Sequence, residues 1–272
     1  MTSKGGLVIK LNCAIAIFRK EIVLIVVIGI LVAVSSSFSV SAKNSLEHKI
    51  KEYNITDVIS TYTTYFDLDK VNRSHNIKLA TNKIDGAIIL PGEIFSFNEV
   101  VGARNKEAGY KSATEIINGK FVSGIGGGVC QVSSTLYNSV LLADLQVLER
   151  KHHSRPVKYI PLGRGATVYY NYIDFKFKNN TKFPIIIMAK VINNQLTISI
   201  LGHNSNQQIR IITSSLEVIK PKTITELDHD LLPGSKEVTD EGKKGFEVII
   251  KKIITEGEQI IKQEIVSKDI YS

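Results

Sequence analysis

The sequence has no tryptophan, 2 cysteines, 2 methionines and 6 prolines in 272 residues. One of the cysteines, Cys13, lies in the first 42 residues, which leaves Cys130 alone in the remainder. A disulfide framework within residues 43–272 is thereby excluded. The histidines and carboxylates do not cluster at metal-ligand spacing, so no metal site is expected. Aromatics make up only 7% and no basic run is interleaved with them, which argues against nucleic acid as a partner. There is no long-period repeat and no low-complexity segment.

Apolar residues at 43% and charged residues at 22% are ordinary for a globular protein. The length suits one large domain or two small ones, with a core that needs no metal or disulfide staple. The net charge is +8. Lys4, Lys10, Arg19 and Lys20 against Glu21 give the first 42 residues +3, leaving +5 for the rest. A modest basic excess suits an anionic partner such as a wall polymer or membrane surface, although a solvated surface explains most of it.

Lys10, Arg19 and Lys20 precede Ile22–Val34, an uninterrupted apolar run of 13 residues. Val40-Ser41-Ala42 then forms a small-residue site before Lys43. Residues 1–42 therefore read as a signal peptide cut after Ala42, or as an uncleaved signal anchor. A spanning helix needs about 20 apolar residues, and the run reaches that only by admitting several serines. Positive charge before the run puts residues 43–272 outside the membrane on either reading. The expected location is extracytoplasmic: secreted, or anchored to the membrane and associated with the wall.

In an exported chain a lone thiol is a reactive residue, an intermolecular partner, or a small buried apolar side chain. Cys130 stands where Gly124-Ile-Gly-Gly-Gly-Val-Cys-Gln-Val-Ser-Ser-Thr-Leu-Tyr-Asn138 passes from a glycine-rich turn into a helical pattern. Val132, Leu136 and Val140 mark one buried stripe of a helix over 131–145. Ser45–Ile50 and Asn76–Ile84 read as short helices. Strands are expected at 57–66, 86–90, 93–97, 157–160, 166–177, 183–190 and 195–201, with a hairpin turning at Asn118-Gly119. Residues 100–110 read as a polar loop. After polar His203-Asn-Ser-Asn206, strands are expected at 209–214, 223–227, 246–254 and 259–267. The pattern predicts an α+β fold: a mixed domain over 43–205, its cysteine-bearing helix packed on antiparallel strands, then a small all-β module over 206–272.

A cysteine acts as nucleophile only as thiolate. A helix N-terminus and a nearby imidazolium both lower its pKa. Gly126, Gly127 and Gly128 let the backbone turn sharply and a substrate approach, and the first-turn N–H groups are candidate oxyanion donors, with Gln131 and Ser134 beside them. The loop lacks the lysine of a phosphate-binding loop, and no cofactor is expected. His153 is the favoured base of the pair His152-His153. A helix of about 15 residues spans roughly 22 Å, so the chain must return for that pair to reach Cys130. Asp174 is the candidate orienting acid, against the alternative of a solvent-facing strand residue.

Leu90-Pro-Gly-Glu-Ile-Phe-Ser-Phe-Asn98, Val101-Gly102, Gly109-Tyr110, Gly126-Gly-Gly-Val-Cys-Gln-Val-Ser-Ser-Thr-Leu-Tyr-Asn138, Glu149-Arg150 and His153-Ser154 together resemble the VanW family over about residues 60–202. Residues 207–270, with Pro233-Gly234 and Gly242-Lys-Lys-Gly245, resemble a glycine-containing extracellular module that binds wall sugars. The family takes its name from glycopeptide-resistance (vancomycin-resistance) gene clusters. The resemblance implies an L,D-transpeptidase-type enzyme in which Cys130 attacks the third residue of a peptidoglycan stem peptide and His153 acts as base. It implies stem peptides and wall glycans as partners. Two positions depart from the family pattern: Gly165, where an acidic residue is common, and Lys151, where a histidine is common. The rival readings are a non-catalytic wall-binding protein associated with glycopeptide resistance, and a cysteine peptidase or amidase.

Overall fold

A computed structural model describes residues 40–271 apart from 118–119, 204–205, 228 and 233. The Ile22–Val34 run, the Asn118-Gly119 turn, the polar pair at 204–205 and Pro233 thus lie outside the described residues. The fold is α+β, with antiparallel sheets and a three-stranded all-β module at the C-terminal end.

Helix α1 (Val40–Glu52) is followed by strand β1 (Asp57–Tyr65), helix α2 (Val71–Ile84), and the short strands β2 (Ile88–Ile89) and β3 (Ile94–Ser96). One helical turn, α3 (Phe97–Val101), then leads to the hairpin β4 (Ser112–Ile117) and β5 (Lys120–Ile125). Helix α4 (Val129–Leu142) carries Cys130, and β6 (Gln146–Glu149), β7 (Lys176–Lys178), β8 (Ile185–Ile192) and β9 (Gln195–Gly202) come after it. The module consists of β10 (Gln207–Ile219), β11 (Gly245–Glu256) and β12 (Gln259–Tyr271).

The main sheet has the order β1-β9-β8-β2. Strand β8 is apolar almost throughout because both of its faces are covered. Ile185, Ile187 and Ala189 join Val132, Leu136 and Val140 of α4 in the main core. Ile186 and Met188 pack with Leu46 of α1 on the opposite face. Helix α4 carries polar groups into this contact without leaving them unpaired. Ser139 Oγ donates to Ile198 O at 2.7 Å, and Ser60 Oγ donates to Ser139 O at 2.7 Å. A second sheet has the order β3-β7-β6, and its strand β6 touches α4.

Several local expectations need correction. Residues 157–160 form no strand, and of 166–177 only β7 and the isolated bridges Lys151–Thr167 and Tyr169–Ile173 are paired. Side chains take the carbonyls just before and at the start of the second stretch. Arg150 donates from Nη2 to Gly163 O at 3.1 Å and from Nε to Gly165 O at 2.7 Å. Asn138 Nδ2 reaches Arg164 O at 2.8 Å, and Ser133 Oγ reaches Ala166 O at 2.7 Å. Residues 163–168 are therefore a strap laid over α4. Residues 223–227 are irregular and exposed, and β6 was not foreseen. Helix α2 begins at Val71, ahead of the expected 76, with Ser74 and Asn76 buried by contacts the hydrophobic pattern does not encode.

The β-module sits against the strap. Arg150 and Asp269, whose side chains are 8% and 3% exposed, form a two-bonded ion pair at 2.6 and 2.7 Å. Tyr271 Oη accepts from Gly163 N at 2.9 Å. A Cβ at Gly163 would fall 2.4 Å from Ile250, so only glycine permits this approach. Lys252 reaches back to Asp144 at the end of α4. Removing one partner of a buried ion pair leaves an uncompensated charge at a cost of roughly 3–5 kcal/mol. Asp269→Asn is expected to lose about 3 kcal/mol of stability by chemical denaturation. A loss below about 0.5 kcal/mol, the ordinary range for surface substitutions, would show that the pair does not hold the module to the strap.

Candidate functional site

The glycine loop is shaped by what crowds it. Gly126 and Gly128 have φ of 95° and 114°, in the region that strains any side chain. A Cβ at Gly127 would lie 2.6 Å from Ala113 O, and one at Gly128 would lie 2.8 Å from Arg73 Nη1. The loop thus turns tightly between the β4–β5 hairpin and two arginine side chains. Cys130 is the second residue of α4. The donors of this first turn are partly spent: Val129 N donates to Gly126 O at 3.1 Å and Gln131 N to Gly128 O at 2.9 Å. Those two amides are engaged within the turn itself.

The Cys130 thiol donates to Val168 O at 3.4 Å. The residue keeps some accessible surface, yet its sulfur is closely surrounded, and burial pushes the thiol above its ordinary pKa. The Val168 carbonyl can accept only from the protonated sulfur, so that contact also favours the thiol. Arg104 and Arg73 pull the other way with positive charge, and Glu115 adds to the upward push. Arg73 is fixed by Gln131, whose Oε1 accepts from Nη2 at 2.7 Å, and it lies 5.7 Å from the Tyr159 ring centre. Arg104 stands between the Phe97 and Tyr170 rings at 5.6 and 5.7 Å.

The remaining sequence candidates separate. His153 is 6% exposed, and its Nε2 hydrogen-bonds with Tyr159 Oη at 2.9 Å rather than with Cys130. Its Nδ1 is buried without a partner and faces Gly165, where a Cβ would come within 2.4 Å. Tyr159 lies near enough to Cys130 for their charges to interact. Lys151 is exposed and lends only its backbone to Thr167.

Asp174 does not orient His153. Its carboxylate accepts from Ser96 Oγ at 2.6 Å, Asn98 N at 2.9 Å and Phe175 N at 2.8 Å, which ties β7 to the start of α3. Gln131 is not at an open substrate surface either. Its Nε2 donates to Thr64 Oγ1 at 3.0 Å and Tyr65 O at 2.9 Å, making it a tether that aims Arg73. Ser134 holds the strap, donating to Cys130 O at 2.7 Å and accepting from Ala166 N at 2.9 Å. Arg73, Arg104 and Tyr159 were missed, because none lies in a spaced motif and only the fold gathers them at the cysteine.

Two family models match the chain. A family model described as VanW like protein matches residues 72–201, and one described as G5 domain matches residues 212–272. The first domain belongs to the VanW-like family. The VanW-like domain is followed by a G5 domain, and the strap interface described above joins them. An uncharacterized protein, YoaR of Bacillus subtilis (strain 168), is 44% identical over 170 residues, covering 62% of this chain and 56% of that protein. The vancomycin B-type resistance protein VanW of Enterococcus faecalis (strain ATCC 700802 / V583) is 29% identical over 168 residues, covering 58% of this chain and 60% of that protein. The chain thus spans less than two thirds of the length of either relative. No solved structure gives a significant match.

Burial, with the charges of Arg150 and His152, lowers the His153 pKa to about 4. An unfolded histidine titrates near 6.5, so on acidification the unfolded chain takes up the proton first. Stability linked to His153 is complete above about pH 6.5 and is lost as pH falls toward 4, by up to ~3 kcal/mol. Denaturation of wild type and His153→Gln should show their stability difference shifting by about 2 kcal/mol in favour of the variant between pH 7 and pH 4.5. A difference independent of pH would mean that His153 is not held neutral.

Proposed function

We propose that the chain is an exported, cell-wall-associated protein whose VanW-like domain carries out L,D-transpeptidase-type acyl transfer on peptidoglycan stem peptides. On this reading the G5 domain engages wall glycans, and the N-terminal segment, where uncleaved, holds the protein to the membrane. The observation that carries it is the placement of Cys130 at the start of a helix between two guanidinium charges. Both features favour the thiolate that acyl transfer requires. The name of the Enterococcus faecalis relative, a resistance protein against vancomycin, supports a wall-directed role.

In the proposed reaction Sγ attacks the carbonyl of the donor's third residue. A C–S bond forms, the C–N bond to the terminal D-alanine breaks, and the thiol proton leaves on that amine. An amine of a neighbouring stem then forms the cross-link amide and returns the proton to sulfur. His153 serves as base through Tyr159, to which it is hydrogen-bonded.

A second reading, a non-catalytic wall-binding protein, is favoured by one observation: burial holds the resting thiol protonated. Muropeptide analysis of cells bearing wild type or Cys130→Ala separates the two. The acyl-transfer reading expects cross-links through the donor's third residue to fall by at least tenfold in the variant. Identical profiles would reject it and leave wall binding.

A further inference from the structure

The Arg104 guanidinium is buried without a counter-charge. Its Nη1 and Nη2 have no acceptor within the protein. Among the described residues no carboxylate forms an ion pair with it. Asp174 is close enough for its charge to be felt, but the Ser96, Asn98 and Phe175 donors already occupy its oxygens. The Tyr110 hydroxyl is a second orphan. That residue is 2% exposed, its oxygen has no partner, and it interacts with the same guanidinium. Cys130 is a third neighbour of this charge. Buried donors of this kind are ordinarily paired, and a guanidinium fork matches a carboxylate in shape and charge.

We propose that Arg104, with Tyr110, forms a subsite for the terminal carboxylate of the acyl donor, beside Cys130. The subsite rests on the acyl-transfer reading for its purpose, though not for its geometry. It assigns the substrate class: a peptide whose last residue bears a free α-carboxylate and departs as an amino acid. Arg104 would grip the leaving group, one residue beyond the carbonyl that Sγ attacks. The Phe97 and Tyr170 rings flank the guanidinium and hold its plane.

Tyr170 also provides the way in. It is 38% exposed and belongs to the turn between Tyr169 and Ile173, in which Asn171 has φ of 65°. Asn98 Nδ2 holds the base of that turn through Ile173 O at 3.0 Å. Of the two rings beside the guanidinium, Tyr170 is the exposed one and Phe97 is fully buried, which makes the Tyr170 side the entry.

The test uses the full chain carrying Cys130→Ala, so that no chemistry intervenes, and titrates it with acetyl-lysyl-D-alanine as free acid and as carboxamide. The acid is expected to bind at least tenfold more tightly than the amide, and Arg104→Gln to reduce that ratio to near one. Equal affinity for acid and amide, or a preference that survives Arg104→Gln, overturns the subsite. Should Arg104→Gln fail to fold, the acid–amide comparison in the Cys130→Ala chain still decides. Tyr170→Ala should speed binding of the acid at least threefold, and an unchanged rate overturns the entry route. Acid preference together with unaltered muropeptides would retain the subsite and reject acyl transfer.

Discussion

The strap at residues 163–168 is the constraint from which the rest follows. Its carbonyls are held by Arg150, Asn138, Ser133 and the Cys130 thiol, on or just after one helix. A segment bonded this way cannot pair into a sheet, so it lies flat over the polar side of α4 and shields the sulfur. The same segment receives the G5 domain through Asp269 and Tyr271. Arg150 therefore serves both contacts at once, with one side of its guanidinium on strap carbonyls and the other on Asp269. Through these contacts the second domain is coupled to the cover of the candidate nucleophile.

Around the sulfur, opposing effects are close in kind. Burial favours the thiol, whereas Arg104, Arg73 and the helix start favour the thiolate. Burial wins in the resting state. The expected imidazole partner is engaged elsewhere, on Tyr159. The site thus departs from a simple cysteine–histidine pair and places arginine charge near the sulfur instead. Gly165 has a physical reason here as well: a side chain there would strike the His153 ring.

Much of the fold was legible because its elements carry strong periodicity. The α4 stripe of Val132, Leu136 and Val140, the apolar run of β8 and the β8–β9 hairpin all encode their burial in order. The glycine loop and Cys130 were legible from composition. What escaped was whatever depends on side-chain-to-backbone bonding at a distance. The alternating residues 166–177 resemble a strand, and nothing local reveals that Ser133 and Cys130 will claim carbonyls at its start, or Asn138 and Arg150 those just before it. Asp174 was read as a candidate orienting acid on an expected strand, but its bonds to Ser96 and Asn98 form only once β3 pairs with β7. Arg104 sits in a polar loop whose sequence gives no sign that a guanidinium will be buried.

Acyl transfer to Cys130 from a wall peptide would leave a covalent thioester on the protein. Intact-mass spectrometry of the protein incubated with a stem tetrapeptide tests it most directly. The account predicts an adduct equal to the donor minus its terminal alanine, located on Cys130 by fragmentation and discharged by an added amine. A protein whose mass stays unchanged, or an adduct on another residue, would contradict it.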